Sequence, residues 1–281
     1  DFFLLPKVDC IHRKEPSVDP AKLLHSKPSS HFVFSPFIPN FLGNPITPMT
    51  NYYSYTFTLL FFLTSTIYGQ DTKWDVNDPP GTYKEIELDL TEGTWMNLDV
   101  SPDGKTIVFD LLGDLYTLPI EGGTATPIRT GLAFDLQPRF SPDGEHILFT
   151  SDAGGGDNLW VAKPDGSEAR QITKETFRLL NNGVWMPNGE YIVGRKHFTS
   201  RRSLGAGEMW MYHISGGSGV QLTKRKNDQQ DVNEPCVSPD GQYVYFSEDM
   251  YPGGFFQYNK DPNKQLYTLR RYDRKTGKVE N

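Results

Sequence analysis

The chain has 281 residues and a formal net charge of −7 at pH 7. That length suits one or two domains, and the charge has the wrong sign for gripping phosphate backbones, so nucleic acid is not an expected partner. Frequent Gly (26) and Pro (21), with 13% aromatics, favour short strands joined by tight turns over a helical bundle, and two cysteines, Cys10 and Cys236, imply no disulfide framework.

Residues 1–48 carry no rhythm of turns and strands and are rich in Pro, Ser and His. They read as a disordered leader, expected to be foreign to the native chain because of the apolar segment that follows Met49, the first methionine, with a genuine N-terminal extension as the alternative. Residues 57–68 form an apolar run of signal-peptide length, too short to cross a bilayer. Gly69 before Gln70 offers a small residue for cleavage. Residues 49–69 are therefore expected to be a signal peptide, although no Lys or Arg lies between Met49 and Phe57. The mature protein is expected to start near Gln70 and to be periplasmic or extracellular. With no Cys at the cleavage site, no stable membrane anchor is expected. Residues 83–90 then alternate apolar and polar, as an edge or ring-closing strand does.

From there the chain repeats itself. Ser101-Pro102-Asp103-Gly104 returns at Ser141-Pro142-Asp143-Gly144 and Ser238-Pro239-Asp240-Gly241, with a degenerate copy at Met186-Pro187-Asn188-Gly189. Each is a tight-turn sequence. Pro pre-sets φ, Asp or Asn suits the next position, and Gly accepts positive φ. A short apolar piece precedes each turn: Leu98 to Val100, Arg139-Phe140, Val184-Trp185 and Cys236-Val237. A β-branched and aromatic run follows, at 106–109, 146–149, 191–193 and 243–246. Third strands are expected at 114–118, 158–162, 208–212 and 265–269, and fourth strands at 126–130, 169–173 and 219–223. A period of roughly 40–50 residues with four strands per repeat specifies propeller blades.

The fold expected is all-β: a β-propeller of four-stranded antiparallel blades at about 95–131, 135–175, 181–226 and 232–281. The last blade is expected to be truncated before its fourth strand. Four blades is the lower limit for a closed ring, so an incomplete, open ring is expected. Further blades beyond Asn281 and an exposed apolar face on blade four follow from that.

Chemistry-bearing residues are few. Asp152 to Asn158 resembles a calcium loop only in composition, lacks the closing Glu of an EF-hand, and reads as a glycine hairpin. Arg195, His197, Arg201 and Arg202 fall in the longer hairpin of blade three. A basic loop there could clasp a carboxylate or phosphate or dock a domain. His146 and His213 have no ligand partner at metal spacing and read as structural. Ser218 misses the nucleophile elbow, because Val220 stands where Gly is needed, and reads as part of a hairpin turn. No catalytic group and no metal ligand set is read from these residues.

The repeated turns, the Leu-Tyr or Leu-Trp third strands and the fourth strands ending in Thr resemble the TolB-type propeller repeat, a relative of the WD-type repeat. Longer strings, at 95–100, 109–116, 150–160, 195–217 and 229–264, resemble the N-terminal propeller of exported bacterial amidohydrolases related to imidazolonepropionase. That resemblance implies a downstream metal-dependent hydrolase acting on non-peptide C–N bonds, with a divalent metal, zinc first, activating water. Its ligands would lie after Asn281, and the propeller would shape access or bind a partner, its own hydrolase domain or an envelope protein. Two alternatives stay open: a protein-binding propeller as in TolB, and the propeller of a prolyl-oligopeptidase-type serine peptidase.

Overall fold

The computed structural model describes residues 13–16, 74–81, 83–86, 88–176, 179–198, 206–225, 230–250 and 266–281. The signal-peptide segment at 49–69, Arg201 and Arg202 lie outside the described residues. The chain divides into two units, Asp1–Ser17 with Asp75–Asn281, and Val18–Trp74. The first carries all the strands described below.

Of the leader, β1 (Arg13–Pro16) is described, as a strand antiparallel to β2 (Tyr83–Ile86). The edge strand expected over 83–90 is thus shorter and pairs with the leader. Four separate four-stranded antiparallel sheets follow. Blade one is β3 (Leu98–Val100), β4 (Thr106–Leu111), β5 (Asp114–Pro119) and β6 (Thr126–Arg129). Blade two is β7 (Asp135–Phe140), β8 (Ile147–Ser151), β9 (Asn158–Ala162) and β10 (Arg170–Gln171). Blade three is β11 (Leu180–Trp185), β12 (Tyr191–Phe198), β13 (Ala206–His213) and β14 (Gly216–Gln221). Blade four is β15 (Asp231–Val237), β16 (Tyr243–Met250), β17 (Leu266–Asp273) and β18 (Lys278–Glu280).

Two expectations need correction. Blade four is not truncated, because Lys278–Glu280 pairs with Arg271 to Asp273 as its fourth strand. Ser218 lies within strand β14, not in the turn, which falls at Ile214 and Ser215.

The repeated turns are held by one set of bonds. At the first, the Ser101 hydroxyl donates to Asp103 Oδ1 at 2.6 Å and accepts from Thr106 N at 2.9 Å, while Gly104 N donates to Ser101 O at 2.8 Å. The copies at Ser141 and Ser238 repeat all three contacts. The four turn glycines have φ of 69–74°, a conformation that a Cβ disfavours. The Met186 copy keeps the backbone bond from Gly189 and lacks the hydroxyl bridge.

Apolar side chains fill the spaces between blades, because adjacent residues on a strand point to opposite faces. Val108 and Leu115 of blade one meet Phe140, Ile147 and Phe149 of blade two. Leu148 and Leu159 on the other face of blade two meet Leu180, Trp185 and Ile192 of blade three. Met186, Val193 and Met209 meet Val232, Val244 and Phe246 of blade four. Burying each such side chain contributes about 1.5–3 kcal/mol, and each blade depends on its neighbour for it. The far face of blade one is covered by Leu90 and Met96, which pack on Phe109 and Tyr116. The far face of blade four is less apolar than expected. Leu269 stands 69% exposed there, while the guanidinium of Arg271 covers the Tyr243 ring at 4.5 Å.

Candidate functional site at the propeller axis

The first strands of blades two, three and four are longer than their apolar ends suggest. Strands β7, β11 and β15 begin four or five residues earlier than the pieces read from the sequence, and the added residues are mostly polar. Each carries a bulge: between Leu136 and Arg139, between Asn181 and Val184, and between Asn233 and Cys236. At each bulge a non-glycine residue takes positive φ: Gln137 at 56°, Asn182 at 52° and Glu234 at 53°. All three stand five residues before the turn proline, where blade one has Asn97. A bulge re-aims a side chain, and repeated left-handed backbone is a strain that folds retain at functional positions.

These four side chains line one cleft of about 400 Å³, together with Arg139. A hydrogen-bonded chain links three of them. Asp110, buried on β4, accepts from Asn97 N and Nδ2, each at 2.8 Å, and from Gln137 N at 2.7 Å. Gln137 Oε1 accepts from Asn182 N at 2.8 Å and from Thr150 Oγ1 at 3.2 Å, and its Nε2 donates to Asn182 Oδ1. Arg139 Nη1 donates to Pro138 O at 2.7 Å and Leu98 O at 3.2 Å. On blade four Glu234 is exposed, and its carboxylate accepts a long contact from Ser247 Oγ at 3.5 Å. The cleft therefore offers amide donors and acceptors, one guanidinium and one carboxylate. Such groups bind and orient a polar ligand.

Arg195 and His197, read from the sequence as loop residues, sit on strand β12. Arg195 is buried and reaches blade four, donating from Nη2 to Asp231 Oδ1 and Oδ2 at 2.7 and 2.9 Å and from Nε to Val232 O at 2.7 Å. His197 contacts Arg195 Nη1 and Asn181 Oδ1, the latter at 3.1 Å. Arg195 occupies the position held by Asp110 and Thr150 in blades one and two, so it is an interblade tie beside the axis, not a loop cation. Lys196 is buried too, paired with Glu175 at 2.5 Å and lying 4.3 Å over the Trp210 ring.

The threonines that end the fourth strands are also explained. Thr173 Oγ1 donates to Asn158 Oδ1 at 2.8 Å and accepts from Leu159 N at 3.0 Å. Thr223 Oγ1 donates to Glu208 Oε2 at 2.5 Å and accepts from Met209 N at 2.9 Å. Burial pushes the Glu208 carboxyl above its ordinary range, partly offset by the bond from Thr223.

The glycine stretch after Asp152 is a hairpin, closed by Gly155 N on Asp152 O at 2.8 Å. The Asp152 carboxylate caps Phe134 N at 2.7 Å. His213 Nδ1 lies 2.6 Å from Ser215 Oγ in a local turn and its ring meets Tyr191 edge-on. Among the described residues no group of three or more His, Cys, Asp or Glu side chains could hold a metal ion.

Residues 88–268 match the TolB beta propeller domain family. The chain belongs to that family. Among curated relatives of this propeller chain, the uncharacterized protein Atu1656 of Agrobacterium fabrum is 29% identical over 158 residues, covering 52% of each protein. The uncharacterized peptidase YuxL of Bacillus subtilis is 28% identical over 198 residues, covering 66% of this chain and 25% of YuxL. The propeller also superposes on the structure of a putative TolB from Agrobacterium tumefaciens with a TM-score of 0.52 at 20% identity, covering 70% of this chain and 65% of that one. The chain thus spans about half of the first relative's length and a quarter of the second's.

Proposed function

We propose that this TolB-type propeller is the non-catalytic binding and access module of a longer exported hydrolase, and that its axial side chains make the contacts. The observation that carries the reading is the series Asn97, Gln137, Asn182 and Glu234, one polar side chain per blade lining one cleft, the last three turned into it by a repeated bulge. Amide side chains donate and accept at once, which suits ligands that themselves carry amides.

The parent activity we favour is metal-dependent hydrolysis of non-peptide C–N bonds. Its support is the resemblance of residues 195–217 and 229–264 to the propellers of exported amidohydrolases. A divalent metal, zinc first, would then be held by residues outside this chain. A second reading, a serine peptidase, is favoured by the likeness to YuxL, which is named a peptidase. Export rests on the apolar run at 57–68 and the small residue before Gln70.

The test is to express the reading frame continued past Asn281. Stoichiometric bound zinc with hydrolysis of cyclic or N-acyl amides supports the amidohydrolase parent. Labelling by a fluorophosphonate supports the peptidase. A full-length protein with neither sinks the hydrolase reading, and turnover of amides by the present chain alone sinks its non-catalytic role. N-terminal sequencing of secreted protein tests cleavage before Gln70.

A further inference from the structure

A second concavity lies at the opposite end of the blades from the long bulged starts of the first strands. It is an open cleft of about 820 Å³ between blades one and two, bounded by their Ser-Pro-Asp-Gly turns and by Pro164 and Asp165. Its floor is formed by Thr117, Thr126, Ile128 and Phe140.

The corresponding gap between blades two and three is bridged. Thr126 pairs with Thr117 on β5, and Arg170 holds the equivalent register opposite Val161 on β9. Arg170 reaches across, and its Nη1 donates to Ile214 O at 2.5 Å. Where blade two has Phe140 before its turn, blade three has Trp185, whose Nε1 donates to Arg139 O at 3.1 Å. Between blades one and two those bridging side chains are replaced by Thr126 and Phe140, neither of which makes a side-chain hydrogen bond across the gap, and Phe140 packs instead on Val108 and Leu115 of blade one. The cleft is a consequence of that exchange.

The rim is acidic. Asp103, Asp143 and Asp165 each accept a hydrogen bond from a neighbouring serine hydroxyl, at 2.6, 2.5 and 2.6 Å. Those bonds hold all three carboxyls below the usual carboxylate range, so they are charged at neutral pH. Lys105, 78% exposed, lies 3.9 Å from Asp103, while His146 and Lys163 act on Asp143 and Asp165 electrostatically. Pro102, Pro127 and Pro164 stiffen the walls, which lowers the ordering cost of binding. The volume falls within the range of pockets that enclose ligands.

We propose that this cleft docks an extended basic segment of a partner protein, with Lys or Arg side chains meeting the three carboxylates and an apolar side chain between them resting on Ile128 and Phe140. Charge complementarity fixes the sign of the partner, and the apolar floor separates it from a free cation or polyamine.

The experiment uses the full chain and two fluorescein-labelled peptides, alternating Lys-Leu and alternating Glu-Leu, followed by anisotropy at about 50 and about 300 mM salt. The basic peptide is expected to bind at least about tenfold more tightly than the acidic one and to weaken with salt. Thr126→Arg, which copies the bridging residue of blade two, is expected to weaken it about tenfold. Ser218→Arg, which adds the same charge at an exposed position on blade three outside the cleft, is expected to leave binding within about twofold. Thr126→Arg changes the net charge by a single unit, so diffuse attraction to an acidic protein survives it. Should that variant fail to fold by circular dichroism, the triple change Asp103→Asn, Asp143→Asn, Asp165→Asn is expected to give the same loss. Equal affinity for the two peptides, no binding of the basic one, or unchanged affinity in the variants that close or neutralise the cleft overturns the proposal. So does tight competition by spermine, which has no apolar side chain.

Discussion

Replacing Arg195 by Met separates a buried interblade tie from a surface loop cation. Arg195 is 7% exposed and makes a two-pronged bond to Asp231 and a third bond to the Val232 carbonyl. Removing one partner of a buried ion pair costs about 3–5 kcal/mol, because the other charge is left uncompensated. Asp231 keeps the Gly207 amide at 2.5 Å, and its side chain is 21% exposed, so water can approach it. The loss should therefore fall near about 2–3 kcal/mol. In urea that corresponds to a midpoint lowered by about 1 M. Circular dichroism and tryptophan fluorescence should be followed together, since stacked blades can lose cooperativity. The double change Arg195→Met with Asp231→Leu should cost about 1–3 kcal/mol less than the two single changes added. A single variant within about 0.5 kcal/mol of the parent, as an exposed residue behaves, would refute the buried tie.

Other consequences follow from the same contacts. Gly166 has φ of 81°, and a Cβ there would stand 1.9 Å from Ile128 O of the neighbouring blade, so Gly166→Ala should lower the thermal midpoint more than Gly122→Ala, where nothing lies within 4 Å. Ser141→Ala should cost about 1–2 kcal/mol, mostly from the lost acceptor for His146 N at 2.9 Å, because the bond to Asp143 is solvent-screened. The Asp143 carboxyl is held below its ordinary 3.8 first by the Ser141 bond. Its stabilising effect is present above the unfolded value and lost as pH falls through the folded one, so the gap between parent and variant should narrow in acid titrations as pH falls below the ordinary 3.8. Glu208 has the opposite sign. Its folded value is raised by burial, so its penalty is full at neutral pH and lifts as pH falls through the folded value. Glu208→Gln should flatten the rise in stability that the parent shows on mild acidification, read from thermal midpoints across that range.

The parts legible in the sequence are those where one residue type has one physical use. The Ser-Pro-Asp-Gly turns located β4, β8, β12 and β16 to within a few residues, because Gly and Pro constrain the backbone directly. The third strands were equally clear, since Leu115, Leu159 and Met209 are buried and their neighbours alternate. The first strands of blades two, three and four were not. Asp135 to Pro138 and Asp231 to Pro235 are polar, proline-bearing and bulged, which are marks of a loop until the axis they face is known. The signal available was register: Asn97, Gln137, Asn182 and Glu234 stand at one fixed distance from the turn prolines. Arg195 and Lys196 looked like a loop because two adjacent cations rarely occupy a strand interior. Their partners, Asp231 and Glu175, lie 36 and 21 residues away, and no local pattern announces them. The fourth strand of blade four, Lys278–Glu280, was hidden by its shortness and polarity.

A crystal structure of the full chain measures the central claim most directly. The result expected is four antiparallel four-stranded sheets, with Gln137, Asn182 and Glu234 each left-handed at a bulge and turned, with Asn97, into one axial cleft. Regular ladders through 135–140 and 180–185 that send those side chains to the outer surface would contradict it.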